Sequence, residues 1–289
     1  MKLSKKLTRV LACPVCRSSV KKTGDKIKCT RKHEFPIEKI PILLTDTKGW
    51  KAKEIEEQNE MSEQYTSKRE TLLFSLFVNN RWNNKILSGA DRPEKALDAG
   101  CGTGMLMHAI QRRFRSSDVY GFDLSPGMAA YANTKNPGNV VCGDVEHIPF
   151  KSKQFDLVTC RGVLHHLPDE RKALKELRRI LRKDGTLIIS DTSNDNILLR
   201  FVRRFIRKHK GFRTGELAQE IKKAGFDVKD VQYFGFLTFP FGLPDLFPLF
   251  RKSRQEWFIR LLSWIDEKIE KNKKLQKLCF HAIYICTAA

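Results

Sequence analysis

From Glu94 to the C-terminus, short apolar runs alternate with stretches whose apolar residues recur at helical spacing. "KALDAG" reads as a strand and "GMLMHAIQRRF" as the helix after it; "DVYGFDLS" and "PGMAAYANTK" repeat the unit. "NVVCGDV" and "FDLVTCRG" are two more strands. In "RKALKELRRILRK", Leu174, Leu177, Ile180 and Leu181 fall on one face, because residues three and four apart in a helix lie one above the other. "GTLIISD", "DVKDVQYFGF" and "FHAIYICTAA" complete seven strands, with "TGELAQEIKKAGF" a helix between the first two of these. Strand and helix in alternation build a mostly parallel α/β sheet.

Two helical stretches precede the sheet, the polar "KAKEIEEQNEMSEQY" and the more apolar "TLLFSLFVNNRWNNKIL"; Arg92-Pro93 marks the step between them and the first strand. The expected organisation is a front module at 1–46, a helical linker and cap over the ligand at 47–92, and a main domain at 93–289. Insertions at 194–212 and 236–278 are expected to act as lids.

The front module holds Cys13-x2-Cys16, then twelve residues, then Cys29-x3-His33. Thr23-Gly24-Asp25 offers a turn between the β-prone arms "SSVKK" and "KIKCT". Four soft or borderline ligands in two close pairs suit a closed tetrahedral zinc site. Four protein ligands leave no position for water or substrate, so the expected zinc is structural. Its loss is expected to loosen residues 1–45 and spare the rest.

The chain has 289 residues and a formal net charge of +21. That excess points to an anionic partner, either nucleic acid or an anionic membrane surface. "MKLSKKLTRVLACPVC" lacks the apolar stretch of a signal peptide, and no run of about 18 apolar residues occurs. The expectation is a cytoplasmic protein with peripheral contact at the inner face of the membrane, its eight cysteines reduced or bound to metal.

Acids close the first three strands of the main domain: Asp98, Asp123 and Asp144. In open α/β sheets the ligand sits outside those strand ends. Gly100, Gly102 and Gly104 follow Asp98, while Met105 stands where the dinucleotide fingerprint requires its third glycine. Three carboxylates would also repel a pyrophosphate. They suit a ligand bearing hydroxyls, amines and positive charge, as S-adenosylmethionine does.

The elements "LDAGCGTG", "GFDLSPGM", "GDVEHIPF", "FDLVTCRGVLHHLPD" and "ELRRILRKDGTLIISD", in this order, resemble the class I S-adenosylmethionine-dependent methyltransferases. The resemblance covers roughly residues 65 to 235 and the final strand. It implies a seven-stranded Rossmann-like methyltransferase sheet carrying a small N-terminal zinc ribbon. It places Gly100, Cys101, Gly102 and Gly104 around the methionine part, with Asp98 at the ammonium. Asp123 would take the ribose hydroxyls with Leu124 and Met128 beside the adenine, and Asp144 the adenine amine with Val145 adjacent. Tyr65, Cys160 and Arg161 would complete the cofactor pocket. The front module is itself similar to the zinc module of bacterial rRNA guanine-N1 methyltransferases.

His165 and His166 lie after the fourth strand, near the expected acceptor, and either imidazole is a candidate base. In the family such a doublet often serves structure instead. No "NPPY"-like tetrapeptide follows that strand, and no Pro-Cys pair stands where pyrimidine C5-methyltransferases carry their nucleophile. "HHLP" and "GDVEHIPF" are closer to the branch acting on small molecules, quinones and lipids. The expected function is methylation of a lipophilic small molecule or lipid at a membrane surface. Charge and zinc module keep RNA base methylation as an alternative, and a non-catalytic scaffold as another. "NILLRFVRRFIRK" (196–208) sets apolar residues opposite Arg200, Arg203, Arg204 and Arg207, and is expected to dock on anionic bilayers.

Overall fold

The computed structural model describes residues 3–68, 73–196, 200, 211–239 and 256–289, with side chains described outside 63–68. The chain begins with helix α1 (Lys5–Val10), capped where Ser4 Oγ accepts from Leu7 N at 2.9 Å. A three-stranded antiparallel sheet follows, β1 (Val20–Thr23), β2 (Lys26–Cys29) and β3 (Glu34–Pro36), hinged at the expected Gly24 turn. Then come β4 (Ile42–Leu43) and the helices α2 (Trp50–Lys68) and α3 (Leu73–Leu87).

The main sheet is built from β5 (Lys95–Ala99), β6 (Asp118–Asp123), β7 (Val140–Gly143), β8 (Phe155–Arg161), β9 (Leu181–Thr192), β10 (Phe226–Phe234) and β11 (His281–Ala288). The helices among them are α4 (Met105–Arg113), α5 (Pro126–Lys135), α6 (Glu170–Ile180), α7 (Thr214–Lys223) and α8 (Glu256–Lys271). Strand order is β10-β11-β9-β8-β5-β6-β7-β4, with β11 antiparallel to both neighbours and the rest parallel. The order reverses between β5 and β8, which opens a crevice at their carboxyl ends.

Two features differ from the sequence pattern. Helix α6 stops at Ile180 rather than continuing through Lys183, and β9 starts at Leu181 with no loop between. Leu181 is fully buried and pairs with Phe155, so sheet burial overrides its helical spacing. The seven expected strands are joined by an eighth: β4, from the front module, lies parallel to β7 with Ile42 beside Cys142 and Leu43 beside Gly143.

The front module is fastened elsewhere too. Leu11 bridges to Phe150, and Arg17 donates to the Ile148 carbonyl at 3.0 Å and pairs with Glu176 at 2.9 Å. Leu7, Leu11, Ile27 and Leu43 belong to the same buried cluster as Leu97, Phe122 and Phe150. Most of the basic stretch 196–208 and of the insertion 236–278 up to residue 255 lies outside the described residues.

Candidate active site

Gly100, Gly102 and Gly104 all have positive φ, 70°, 51° and 78°, so the turn after β5 is left-handed three times. At Gly100 a Cβ would stand 2.3 Å from Val163 Cγ2, whereas at Gly102 it would meet nothing within 4 Å. Only glycine therefore lets this backbone face a ligand closely. The turn is tied to β6: the Gly100 and Cys101 amides donate to the Phe122 carbonyl at 2.9 Å, and the Gly102 amide to Asp123 Oδ2 at 2.8 Å.

Beside this turn lies a cavity of about 390 Å³ at the carboxyl ends of β5 to β8, covered by α2 and α3. Of the expected cofactor residues, Gly100, Cys101, Gly102, Asp123, Leu124, Met128, Asp144, Val145 and Arg161 line it, as do both histidines. Gly104 instead caps α4, its Cα side against Ala132. Cys160 is fully buried within β8 and its thiol is pushed far up by burial, which leaves it inert. Tyr65 falls in α2, and its side chain is outside the described ones.

The three acids differ. Asp123 Oδ1 accepts from Ser125 N at 2.9 Å while Oδ2 holds Gly102 N, leaving each oxygen one more acceptor site toward the cavity. Asp144 is 2% exposed; its Oδ1 accepts from Glu146 N, and its Oδ2 takes Lys51 Nζ at 2.5 Å. Lys51, only 5% exposed at the start of α2, also reaches Glu146 at 2.9 Å. Burial would lower its pKa, but the two acids reverse this and hold the ammonium above its ordinary range.

Asp98 does not line the cavity. It is buried beneath the turn, accepting from Thr159 Oγ1 at 2.8 Å, and burial pushes its carboxyl up to about 7. A raised acid favours the folded state only while protonated. The carboxylate therefore costs stability progressively as pH rises from its unfolded value near 3.8 to about 7. Asp98→Asn should accordingly raise the melting temperature of the ligand-free protein at pH 8 and change it little at pH 4. Equal shifts at both pH values would refute the assignment.

The opposite end of the cavity is built from groups that no periodicity announces. Trp82 of α3 stacks with Phe234 (5.5 Å between centroids) and touches Phe239 and His281 at 5.8 and 4.3 Å. Trp82, Phe239 and His281 line the cavity together with Val78. Arg161 lies over the Trp82 ring at 4.9 Å and donates to Asn83 Oδ1 at 2.7 Å. His165 Nδ1 is 2.7 Å from Asp191 Oδ1, and His166 Nδ1 is 3.1 Å from Glu54 of α2. Asp191 is 1% exposed and also accepts from Leu164 N and Thr192 N. Burial raises its carboxyl, but His165 and these hydrogen bonds bring it below the ordinary range. Asp191, Glu54, Lys51 and the aromatic wall were invisible to motif reading.

In the front module the ligand atoms of Cys13, Cys16, Cys29 and His33 all lie within 4.8 Å of one another. Cys16 and Cys29 sulfurs are 3.7 Å apart, and His33 Nδ1 is 3.6 Å from Cys13 Sγ and 3.4 Å from Cys29 Sγ. A tetrahedron with metal–sulfur bonds of about 2.3 Å has edges of about 3.8 Å, so these spacings suit zinc.

Residues 97–189 match the family model described as "Methyltransferase domain". Malonyl-[acyl-carrier protein] O-methyltransferase of Methylovorus sp. (strain MP688) is 31% identical over 166 residues, 49% of this chain and 54% of that protein. Demethylmenaquinone methyltransferase of Thermotoga maritima is 29% identical over 120 residues, 40% and 52% respectively. The chain thus spans about half the length of these curated relatives. A solved S-adenosylmethionine-dependent methyltransferase of Thermotoga maritima shares the fold, with a TM-score of 0.55 at 21% identity over 81% of this chain and 96% of that one. The glycine turn, the strand-end acids and the histidine doublet all fall within the matched segment, and the sheet is the Rossmann-like one of methyltransferases.

Proposed function

We propose that this protein transfers the methyl group of S-adenosylmethionine to a lipophilic small molecule or lipid at a membrane surface. The carrying observation is one continuous cavity with two chemically distinct ends. At one end stand the glycine turn, Asp123 and Asp144; at the other, an aromatic wall of Trp82, Phe239 and His281. The relatives named for malonyl-acyl-carrier protein and demethylmenaquinone support an acceptor of this class. No described helix is long and apolar enough to cross a membrane.

Methyl transfer is an in-line displacement in which the acceptor atom bonds to the methyl carbon as the carbon–sulfur bond breaks. His165 presents an imidazole whose Nδ1–H donates to Asp191, leaving Nε2 as the acceptor nitrogen. In our reading Nε2 takes the proton of an acceptor hydroxyl as the methyl arrives, and Asp191 stabilises the imidazolium. Cys13, Cys16, Cys29 and His33 would hold a structural zinc ion, with no part in the chemistry.

Asp123→Ala should weaken S-adenosylmethionine binding by about 2–4 kcal/mol, roughly 30- to 1,000-fold, by removing two hydrogen bonds to a charged acceptor. Calorimetry reads the affinity, with Asp123→Asn as the companion that keeps one acceptor oxygen. Unchanged affinity in both would sink the cofactor site. The acceptor class is read by incubating the protein with methyl-labelled donor and fractionated cell extract. Label entering the organic phase supports the proposal. Label in RNA would favour the alternative suggested by the charge of +21, and tight donor binding without labelling would favour a scaffold.

A further inference from the structure

Helix α8 buries two acids alongside Ile259 and Leu262 and leaves large apolar residues outside. Its buried face carries two acids, Asp266 at 0% and Glu270 at 7% exposure, while its outer face carries Trp257 at 63%, Leu261 at 44% and Trp264 at 58%. At about 100° per residue these three and Lys268 fall within roughly 60° of one another. Arg260 and Lys271 flank this stripe, both exposed, and Lys268 sits over the Trp264 ring at 5.7 Å. Exposed Leu275 and the exposed Lys273, Lys274 and Lys277 continue the basic, apolar surface. Among the described residues only Val15 and Leu73 are large exposed hydrophobics outside this patch.

The inward acids explain why the helix is held this way round. Asp266 accepts from the Leu237 and Thr238 amides at 2.7 and 3.0 Å. Glu270 accepts from Gly235 N at 3.0 Å and pairs with Arg81 at 2.8 Å and Lys85 at 2.5 Å. These bonds orient the helix, so the tryptophans are turned outward by construction. They also fasten α8 to both walls of the acceptor end, because Phe239 follows the bonded segment and Trp82 lies between Arg81 and Lys85.

We propose that the Trp257–Leu261–Trp264 face of α8 docks on an anionic lipid bilayer and sets the acceptor end of the cavity at the membrane. Tryptophan suits the interface, where its ring is half buried and its N–H stays wet. Six basic residues against two exposed acids between 256 and 277 complement anionic headgroups. This surface lies on a different chain segment from 196–208, and the proposal rests on the membrane-side reading of the function.

The test is co-sedimentation of the full chain with vesicles of phosphatidylglycerol and phosphatidylcholine, without methyl donor or acceptor. Wild type is expected to bind the anionic vesicles, to release in high salt, and to show tryptophan quenching by brominated lipid. Trp257→Ala/Trp264→Ala and Lys268→Glu/Lys271→Glu should each lower binding roughly tenfold or more, with donor affinity by calorimetry unchanged. Failure of wild type to sediment, equal binding by the variants, or equal binding to neutral vesicles would overturn the proposal. So would a dimer in solution that Trp257→Ala/Trp264→Ala dissociates without any vesicle binding. Absence of donor binding by the wild type, by contrast, would count against the methyltransferase reading and not this one.

Discussion

His165→Ala is expected to lower methyl transfer about 10²- to 10⁴-fold while leaving S-adenosylmethionine affinity within about twofold. The geometry singles out this histidine over its neighbour. Its partner, Asp191, is buried, takes Leu164 N and Thr192 N as well, and is held ionised by those contacts. An imidazole so anchored has a fixed ring and tautomer, and a carboxylate waiting for the charge it will gain. His166 has Glu54 of α2 for a partner, a more exposed acid on a different element, and His166→Ala should cost less. Asp191→Asn keeps an acceptor but loses the charge, so it should reproduce much of the His165 defect. A purely structural histidine would lower the melting temperature and donor affinity together with the rate. A base instead lowers the turnover number while the melting temperature and donor affinity are kept. Label transfer into the organic-phase acceptor measures the rate, and an unchanged rate in His165→Ala would dismiss the base.

Much of the sheet was readable because its determinants are local. Glycines that must be left-handed, apolar runs of strand length and acids at strand ends each announce themselves within a few residues. Thus Gly100, Gly102, Asp123 and Asp144 come together where the motifs placed them. What local pattern could not show is pairing across long separations. β4 belongs by chain position to the front module, yet its Ile42 pairs with Cys142 of β7, a hundred residues on. Lys51 reads as one charge of a solvated helix, and only tertiary packing brings it against Asp144 and Glu146. Asp98 looks equivalent to Asp123 in sequence, but one faces the cavity and the other lies beneath the turn, because successive elements cover them differently. No local pattern sets Asp266 and Glu270 of α8 inward; they are buried because Arg81, Lys85 and the Gly235, Leu237 and Thr238 amides receive them. Leu181 shows the same override in miniature.

Stripping the zinc we propose for the Cys13, Cys16, Cys29 and His33 cluster is expected to unfold the front module and, with it, weaken donor binding. Structural zinc contributes on the order of 10–16 kcal/mol of apparent binding free energy in small domains, and that energy is folding energy. Were the module independent, the loss would stop near residue 45. The contacts argue otherwise. Arg17, one residue past Cys16, holds the Ile148 carbonyl and Glu176, and so braces the loop that follows Asp144. Leu11 bridges Phe150 at the other end of that loop, and β4 flanks β7 up to Gly143. Seven residues beyond β4, Trp50 and Lys51 enter the cavity wall and the Asp144 pair. Losing these supports would leave Asp144 and Glu146 buried without their cation, a situation that costs about 3–5 kcal/mol when one partner of a buried pair is removed. Hydrogen exchange after chelation should therefore rise not only over 12–44 but also over 140–150, while the glycine turn at 100–104, tied to Phe122 and Asp123, stays protected. Cys29→Ser should behave like the chelated protein. Lys51→Ala should lower donor affinity with the metal still bound, which separates the Asp144 link from the zinc itself. Donor affinity unchanged after verified metal loss would show the module and the cofactor site to be independent. No zinc in the wild-type protein by elemental analysis would remove the premise.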